Sequence, residues 1–459
     1  MFKRKMFITI LITILSLFIL TSSINAVEIE KGDYSKRYEE WLRLPEEEKE
    51  ITIAPLPFNI RNEKRNVFNI LRNTLKATQI PEYYDLREHI TVEVKNQMDT
   101  GECWAFSANS SLETYLALNG ETYNFSERHL DYSTASNFLD GANEYALNRL
   151  VGDGGNASTA FTYYSRGSGP INESDMPFEN NEYRISINEL PKNVNVKKVD
   201  NMIYFSNIYK NREDGEIKYV DANNNEYTQV EINEIRNQIK EHIMKYGAVS
   251  ADVYAPSAYY NEQTYADNLC ENAYSNHAVT IIGWDDNYSK TNFINQPTKD
   301  GAYIVLNSWG TGWGDNGVYY VSYEDFLIES QMRGITGVSD IKYDNLYQHD
   351  ISEMWNCIES QYAANVFTAE DNETLTGIMI GSLSKQTCDI YINATSDELN
   401  INNLTKIASD VKLEPGYNTI NVDSNIALSS GSKFAVVVKL TSSDYTGVGI
   451  EDNNEVVFR

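Results

Sequence analysis

The sequence predicts an α+β domain followed by an all-β sandwich, and three observations carry that reading. In the first half, apolar residues recur at helical spacing in two segments. Strand-like runs then come after the second helix instead of alternating with helices, which indicates segregated helical and sheet halves. From about Ile341 only short β-rich runs remain, separated by Gly, Ser, Asn and Asp, the texture of a sandwich. A chain of 459 residues, 41% of them hydrophobic, has material for two or three cores.

Taken in order, Lys3, Arg4 and Lys5 precede an unbroken apolar run over residues 6–20, and TSSINA then ends on the small Ala26. This is the pattern of a secretory signal peptide over 1–26, cleaved after Ala26. The alternative, an uncleaved anchor, needs roughly 20 apolar residues to span, more than this run offers. The expected protein is secreted, extracellular or associated with the cell surface, with no stable membrane span after signal removal. Residues 27–80 are charged, contain RLPEEEKE and lack a strong core pattern. They read as a propeptide removed near Ile80 or as a permanent N-terminal extension.

The first globular block covers 81–338. Cys103 to Leu118 predicts a helix, with Ala105, Ala108, Leu112, Tyr115 and Leu116 at helical spacing and Gly120 at its end. Ile232, Ile235, Ile239 and Ile243 stripe a second helix, and AVSADVYA, HAVTIIGW, GAYIVLNSW and GVYYVSY follow as strands. The second block, 339–459, holds TLTGIMIGSL, CDIYIN, TKIASDVKL, YNTINV and KFAVVVKL; in the last, Phe434, Val436, Val438 and Leu440 share a face.

The net charge of −28 disfavours a nucleic-acid partner, which requires a basic footprint over the phosphates. Four cysteines in an exported chain allow two bridges at most. Cys357 and Cys388 could pair within the sandwich, leaving Cys270 alone. No run of His, Cys, Asp or Glu at ligand spacing calls for a metal, Asp285–Asp286 reads as a solvated turn, and no cofactor is implied.

Cys103 begins its helix in QMDTGECWAFS, His277 lies in SNHAVTIIGWDD, and Asn307 in LNSWGTGWGDNG. Singly each has an ordinary structural explanation; together, in this order, they have a chemical one. A thiolate is the nucleophilic form of cysteine, and a helix N-terminus and an imidazolium both stabilise it. The same histidine can protonate a leaving amine. An asparagine can fix the ring without adding charge. Gln97 can aim a side-chain N–H at a developing oxyanion beside the Cys103 amide, and Trp309 can shield the His–Asn hydrogen bond from water.

These segments resemble the papain-type cysteine peptidases, whose Cys, His and Asn fall in this order. PEYYDLRE resembles the start of the mature enzyme, VKNQ and GECWAFS the nucleophile motif, GDGGNASTAFTYY the glycine-rich cleft wall, and NHAVTIIGW and NSWGTGWGDNG the His and Asn motifs. The resemblance implies a two-lobed fold, a helical left lobe and a β-barrel-like right lobe. It also implies Cys103 as nucleophile, His277 as acid and base, Asn307 as orienting residue and Gln97 as oxyanion donor. Gly154, Gly155 and Trp309 then become the substrate-binding positions, with the glycines pairing with an extended peptide as an added strand does. NLYQHD, AANVFTAEDNETLTGIMIG and KFAVVVKL resemble the lectin-like sandwich appended to bacterial and archaeal peptidases of this type. That implies either a glycan or cell-wall ligand or a module that stabilises the peptidase by packing.

The chain departs from the family pattern in two ways. Thr100, Gly152 and Ser133 stand where half-cystines are usual, so bridges worth roughly 2–4 kcal/mol each are missing. His277 and Asn307 follow the nucleophile by 174 and 204 residues, against a family interval of roughly 130–150. The excess falls in 194–227 and 285–300, which read as surface insertions near the cleft. The expected function is endopeptidase cleavage of protein or peptide substrates. Its rivals are a surface adhesin with an inert peptidase fold and a thioester-forming transferase or amidase acting on cell-wall peptides.

Overall fold

The computed structural model describes residues 33–61 and 80–450, apart from 145, 148, 180–183, 193, 256–257, 341–342, 350–355, 359, 395–402 and 443–447. The expected signal peptide lies outside them.

Helix α1 (Lys36–Leu42) is capped by Ser35, whose hydroxyl accepts from the Tyr38 N–H. Helices α2 (Cys103–Leu118), α3 (Glu127–Thr134) and α4 (Ala157–Ser165) pack together as the helical lobe. Small residues (Ala105, Ser107, Ala108, Ser110, Ser111) let α2 be buried on nearly every face. Helix α5 (Gln229–Tyr246) starts with a capping box between Thr228 and Glu231, buries the four-isoleucine stripe, and stops at Gly247, which has φ 98°. The expected bounds of α2 match the structure, and the expected isoleucine stripe lies on α5.

The strands are β1 (Tyr83–Asp85), β2 (Lys198–Tyr204), β3 (Tyr209–Glu213), β4 (Glu216–Val220), β5 (Val249–Val253), β6 (Ala266–Asp267), β7 (His277–Asp285), β8 (Ala302–Leu306), β9 (Val318–Ser322) and β10 (Arg333–Ser339). The C-terminal block adds β11 (Asn356–Ile358), β12 (Tyr362–Thr368), β13 (Glu373–Ser382), β14 (Gln386–Asn393), β15 (Thr405–Leu413), β16 (Gly416–Leu428), β17 (Lys433–Leu440) and β18 (Val448–Ile450). Strands β12–β17–β14–β15 form an antiparallel sheet, and β11 pairs with β18. The strands expected from TKIASDVKL and KFAVVVKL coincide with β15 and β17.

The main sheet runs β13–β16–β2–β10–β5–β7–β8–β9–β6, with β1 added on β7. It therefore crosses the boundary between the two blocks. Strand β16 pairs with β2 through Gly416–Ile203, Tyr417–Met202 and Asn418–Asn201. The Asn201 side chain accepts from the Thr419 N–H at 2.9 Å, and the Thr419 hydroxyl donates to Asp200 O at 2.6 Å. Leu383 and Tyr417 enter the same apolar cluster as Leu112, Met202 and Tyr204 of the peptidase block.

Three expectations are corrected here. Segment 194–227 is not a surface insertion throughout: β2 is an interior strand of the main sheet with Val199, Met202 and Tyr204 buried, and Phe205 and Ile208 enter the core. Its polar residues hid it, since Asn201 is spent on the neighbouring block. Residues 33–61 do have a core pattern. Tyr38 and Trp41 pack on Leu147, while Leu56, Phe58 and Ile60 are buried against the peptidase. The possible Cys357–Cys388 bridge is not made: Cys388 is a free, buried thiol, and the Cys357 side chain lies outside the described residues.

Candidate active site

Cys103 is the first residue of α2, so its own amide and that of Trp104 are among the helix N–H groups without an intrahelical acceptor. The helix lies against β7, where Ser107 Oγ donates to Val279 O at 2.6 Å and meets Ser250 Oγ at 2.7 Å. One helical turn earlier, Cys103 Sγ receives the Ala278 N–H at 3.4 Å. That contact sets the thiol beside His277, the first residue of β7. Burial pushes the thiol up to about 11; the Ala278, Trp104 and Cys103 amides pull it down, and the field of Asp252 raises it.

His277 Nε2 lies 2.8 Å from Asn307 Oδ1, which also accepts the Ser308 N–H at 2.8 Å. Burial lowers the imidazole to about 4, with the Asn307 hydrogen bond opposing. Trp309 covers the ring with centroids 4.8 Å apart and an interplanar angle of 29°, and Trp313 packs edge-on against Trp309.

Gln97, six residues before the thiol, is buried. Its Oε1 accepts from Ser308 Oγ at 2.6 Å and its Nε2 donates to Thr100 O at 2.8 Å, leaving the second amide hydrogen. Backbone bonds tie its segment to the asparagine loop: Gln97 N–H to Ser308 O at 2.8 Å and Gly310 N–H to Lys95 O at 2.9 Å. Lys95 Nζ, 2.7 Å from both Glu113 and Glu127, pins the same segment to α2 and α3.

Gly154 is exposed and Gly155 half-buried. A Cβ on Gly155 would stand 2.7 Å from the Trp104 ring, so only glycine fits there. Residues 53–60 pack on the same lobe as Cys103. The Ile53 N–H bonds Ser275 O at 2.5 Å, two residues before His277, and Leu56 and Phe58 share an apolar cluster with Cys103 and Trp104.

The structure thus brings Gln97, Cys103, His277, Asn307 and Trp309 into one site. Sequence reading missed the Ala278 amide, the Ser308 hydroxyl and buried Asp252. Backbone donors carry no sequence signal, and a serine beside an asparagine is unremarkable. Asp252 stood in an apolar strand run, where a charge is the signal that was passed over. Cys270, seven residues before His277, is a free thiol accepting from Asn295 Nδ2 at 2.6 Å, and Asp286 pairs with Lys240 at 2.5 Å.

A thiol at a helix start, an imidazole on the facing sheet and an asparagine behind it define a cysteine-type peptidase domain. The chain belongs to the papain family of cysteine proteases, whose family model matches residues 80–336; a lectin-like domain model matches residues 346–457. Among solved structures, the cysteine protease and lectin-like domains of Cwp84, a surface layer associated protein of Clostridium difficile, superpose with a TM-score of 0.71. Identity is 26%, over 90% of this chain and 84% of that one. The clostridial protease Cwp84 after propeptide cleavage gives a TM-score of 0.64 at 29% identity, covering 78% and 83%. A cysteine proteinase of Zea mays is 28% identical over 259 residues, 54% of this chain and 57% of its own length. This chain spans little more than half the length of that relative and of a cathepsin L-like protein of Caenorhabditis elegans, of which 58% is covered.

Proposed function

We propose that the protein is a cysteine endopeptidase made as an exported precursor, with Cys103, His277, Asn307 and Gln97 carrying the reaction. The observation that supports this most is the Cys103 thiol, at the start of α2, held by the Ala278 amide next to His277, whose Nε2 lies 2.8 Å from Asn307 Oδ1. Burial opposes either charge alone. Moving the thiol proton to His277 Nδ1 creates both charges together, as neighbours, and the α2 N-terminus and the Ala278 amide meet the sulfur. The thiolate attacks the peptide carbonyl and the C=O electron pair moves to oxygen. The Cys103 amide and the second Gln97 amide hydrogen meet that oxyanion. Its collapse breaks the C–N bond, and His277 supplies the amine's proton. Water, losing a proton to His277, then hydrolyses the thioester. Trp309 keeps solvent from the His277–Asn307 bond, and Gly154 and Gly155 offer backbone groups to the extended substrate.

Residues 27–80 are a propeptide removed near Ile80, followed by the peptidase at 81–338 and the lectin-like domain at 339–459. Support for latency comes from residues 53–60, which bond Ser275 and join the apolar cluster that contains Cys103. Support for export comes from the N-terminal sequence pattern and from the surface-layer association of Cwp84. The lectin-like domain binds a cell-wall or glycan ligand.

The test is labelling with a thiol-reactive peptidyl epoxide after removal of residues 27–80, read by intact mass. Stoichiometric labelling of wild type that vanishes in Cys103→Ala is expected. No labelling in the presence of reductant overturns the peptidase reading.

A further inference from the structure

We propose that the buried Asp131–Arg149 pair is the strut that positions the glycine wall of the cleft, making Arg149 a positioning residue for binding of extended peptides. The proposal rests on the peptidase reading above. Both side chains are fully buried. A guanidinium has five N–H donors, and Arg149 places all five. Three go to α3: Nη1 to Asp131 O at 2.9 Å and to Thr134 Oγ1 at 3.0 Å, and Nη2 to Asp131 Oδ1. Two go to the wall: Nη2 to Asp153 O at 2.7 Å and Nε to Gly154 O at 3.3 Å. The second Asp131 oxygen accepts the Gly152 N–H at 3.1 Å, so the wall is tied to α3 from both ends of the pair.

The same group reaches the nucleophile. The Arg149 guanidinium lies 5.0 Å from the Trp104 ring centroid, and Gly155 abuts that ring, so the residue after Cys103 is gripped between strut and wall. Glu102, the residue before Cys103, is buried. Burial and then neighbouring Asp131 raise its carboxyl well above the usual range. Thr100 and Gly152 are the positions where the family resemblance puts a disulfide. Here the backbones of the two segments approach closely, since a Cβ on Gly101 would stand 2.8 Å from Gly152 O. A planar fork of five donors can meet all five of these acceptors at once, which the three donors of a lysine cannot. The wall is fixed without a bond that a reductant can break.

Hydrogen–deuterium exchange on the full chain reads the strut whether or not the protein cleaves anything. Arg149→Met should speed exchange over residues 149–156 by about tenfold or more while α5 keeps its protection. Arg149→Lys, which keeps the cation and loses the fork, should show the same pattern more weakly and serves if the Met variant loses protection throughout. In the activated enzyme both should raise KM for a peptide spanning the scissile bond, by about tenfold for Met, with kcat and the rate of Cys103 alkylation by iodoacetamide within about threefold of wild type. Unchanged exchange at 149–156 in both variants overturns the proposal. So does a loss of alkylation rate and kcat at constant KM, which would place the effect on the thiol. Wild type without peptide turnover would count against the peptidase reading, while the exchange result would still decide the strut.

Discussion

Gln97 has one amide hydrogen left after Thr100 takes the other, and Ser308 holds its oxygen at 2.6 Å. Gln97→Ala should therefore lower kcat by roughly 10²–10³ with little change in KM, measured on a peptide substrate. Ser308→Ala should give a smaller fall of the same kind, because it frees the amide without removing it. His242 shows a different residue-scale effect. It is buried edge-on against Phe205, its Nε2 without a hydrogen-bond partner among the described residues, and burial lowers it to about 3. The unfolded chain takes a proton there below about 6.5 and the native state does not, so its contribution is present above pH 6.5 and lost as pH falls toward 3. His242→Leu should remove about 3 kcal/mol of the stability lost between pH 7 and 4, read by urea unfolding at the two pH values. At this scale the sequence made the proposed reacting side chains legible because their chemistry restricts the residue type. The Ala278 amide that reaches Cys103 Sγ was not, since any residue supplies it.

The N-terminal segment is held by elements that look unrelated in sequence. Arg61 pairs with Asp221 at 2.9 Å and with Glu231, the third residue of α5, at 3.2 Å, and its guanidinium covers Tyr227 at 4.4 Å. Arg37 bonds Asn211 of β3, and the Ile60 N–H bonds Asn207 Oδ1 at 2.8 Å. Burial raises Asp221, but hydrogen bonds from Asn225, Arg61 and Asn59 outweigh it and leave the carboxyl below its usual range; Glu231 is lowered in the same way. These carboxylates favour docking above their free values, and the contribution is lost as pH falls through the depressed ones. Arg61→Gln should therefore shorten the time to half-labelling of Cys103 in the uncleaved chain, and should weaken its acceleration by acid. Periodicity revealed α2 and α5 because each carries a regular apolar face. It did not reveal residues 53–60, whose Leu56, Phe58 and Ile60 bury without completing a regular element.

At the scale of the molecule, the sheet that carries His277 on β7 continues through β5, β10 and β2 into β16 and β13. Gly416 makes the crossing possible: its φ is 120°, and a Cβ there would stand 2.1 Å from Met202 O. Gly416→Val should destabilise the whole chain by roughly 1–3 kcal/mol, seen as a lowered unfolding midpoint for both domains together. A chain ending at Asp340 should be less soluble than the full chain, because Met202 and Tyr204 lose the cover of Tyr417 and Leu383. Sequence texture reads as a change from α+β to all-β near residue 341, since strand length and turn spacing change there. It gave no sign that the hydrogen bonding carries on, because strand pairing is made by backbone groups that every residue possesses. Such a joint limits how this architecture can be recombined. A different C-terminal module cannot simply be grafted on as an interchangeable cassette; it must arrive with an edge strand that reproduces the Gly416–Asn418 register, so the two halves inherit each other's changes.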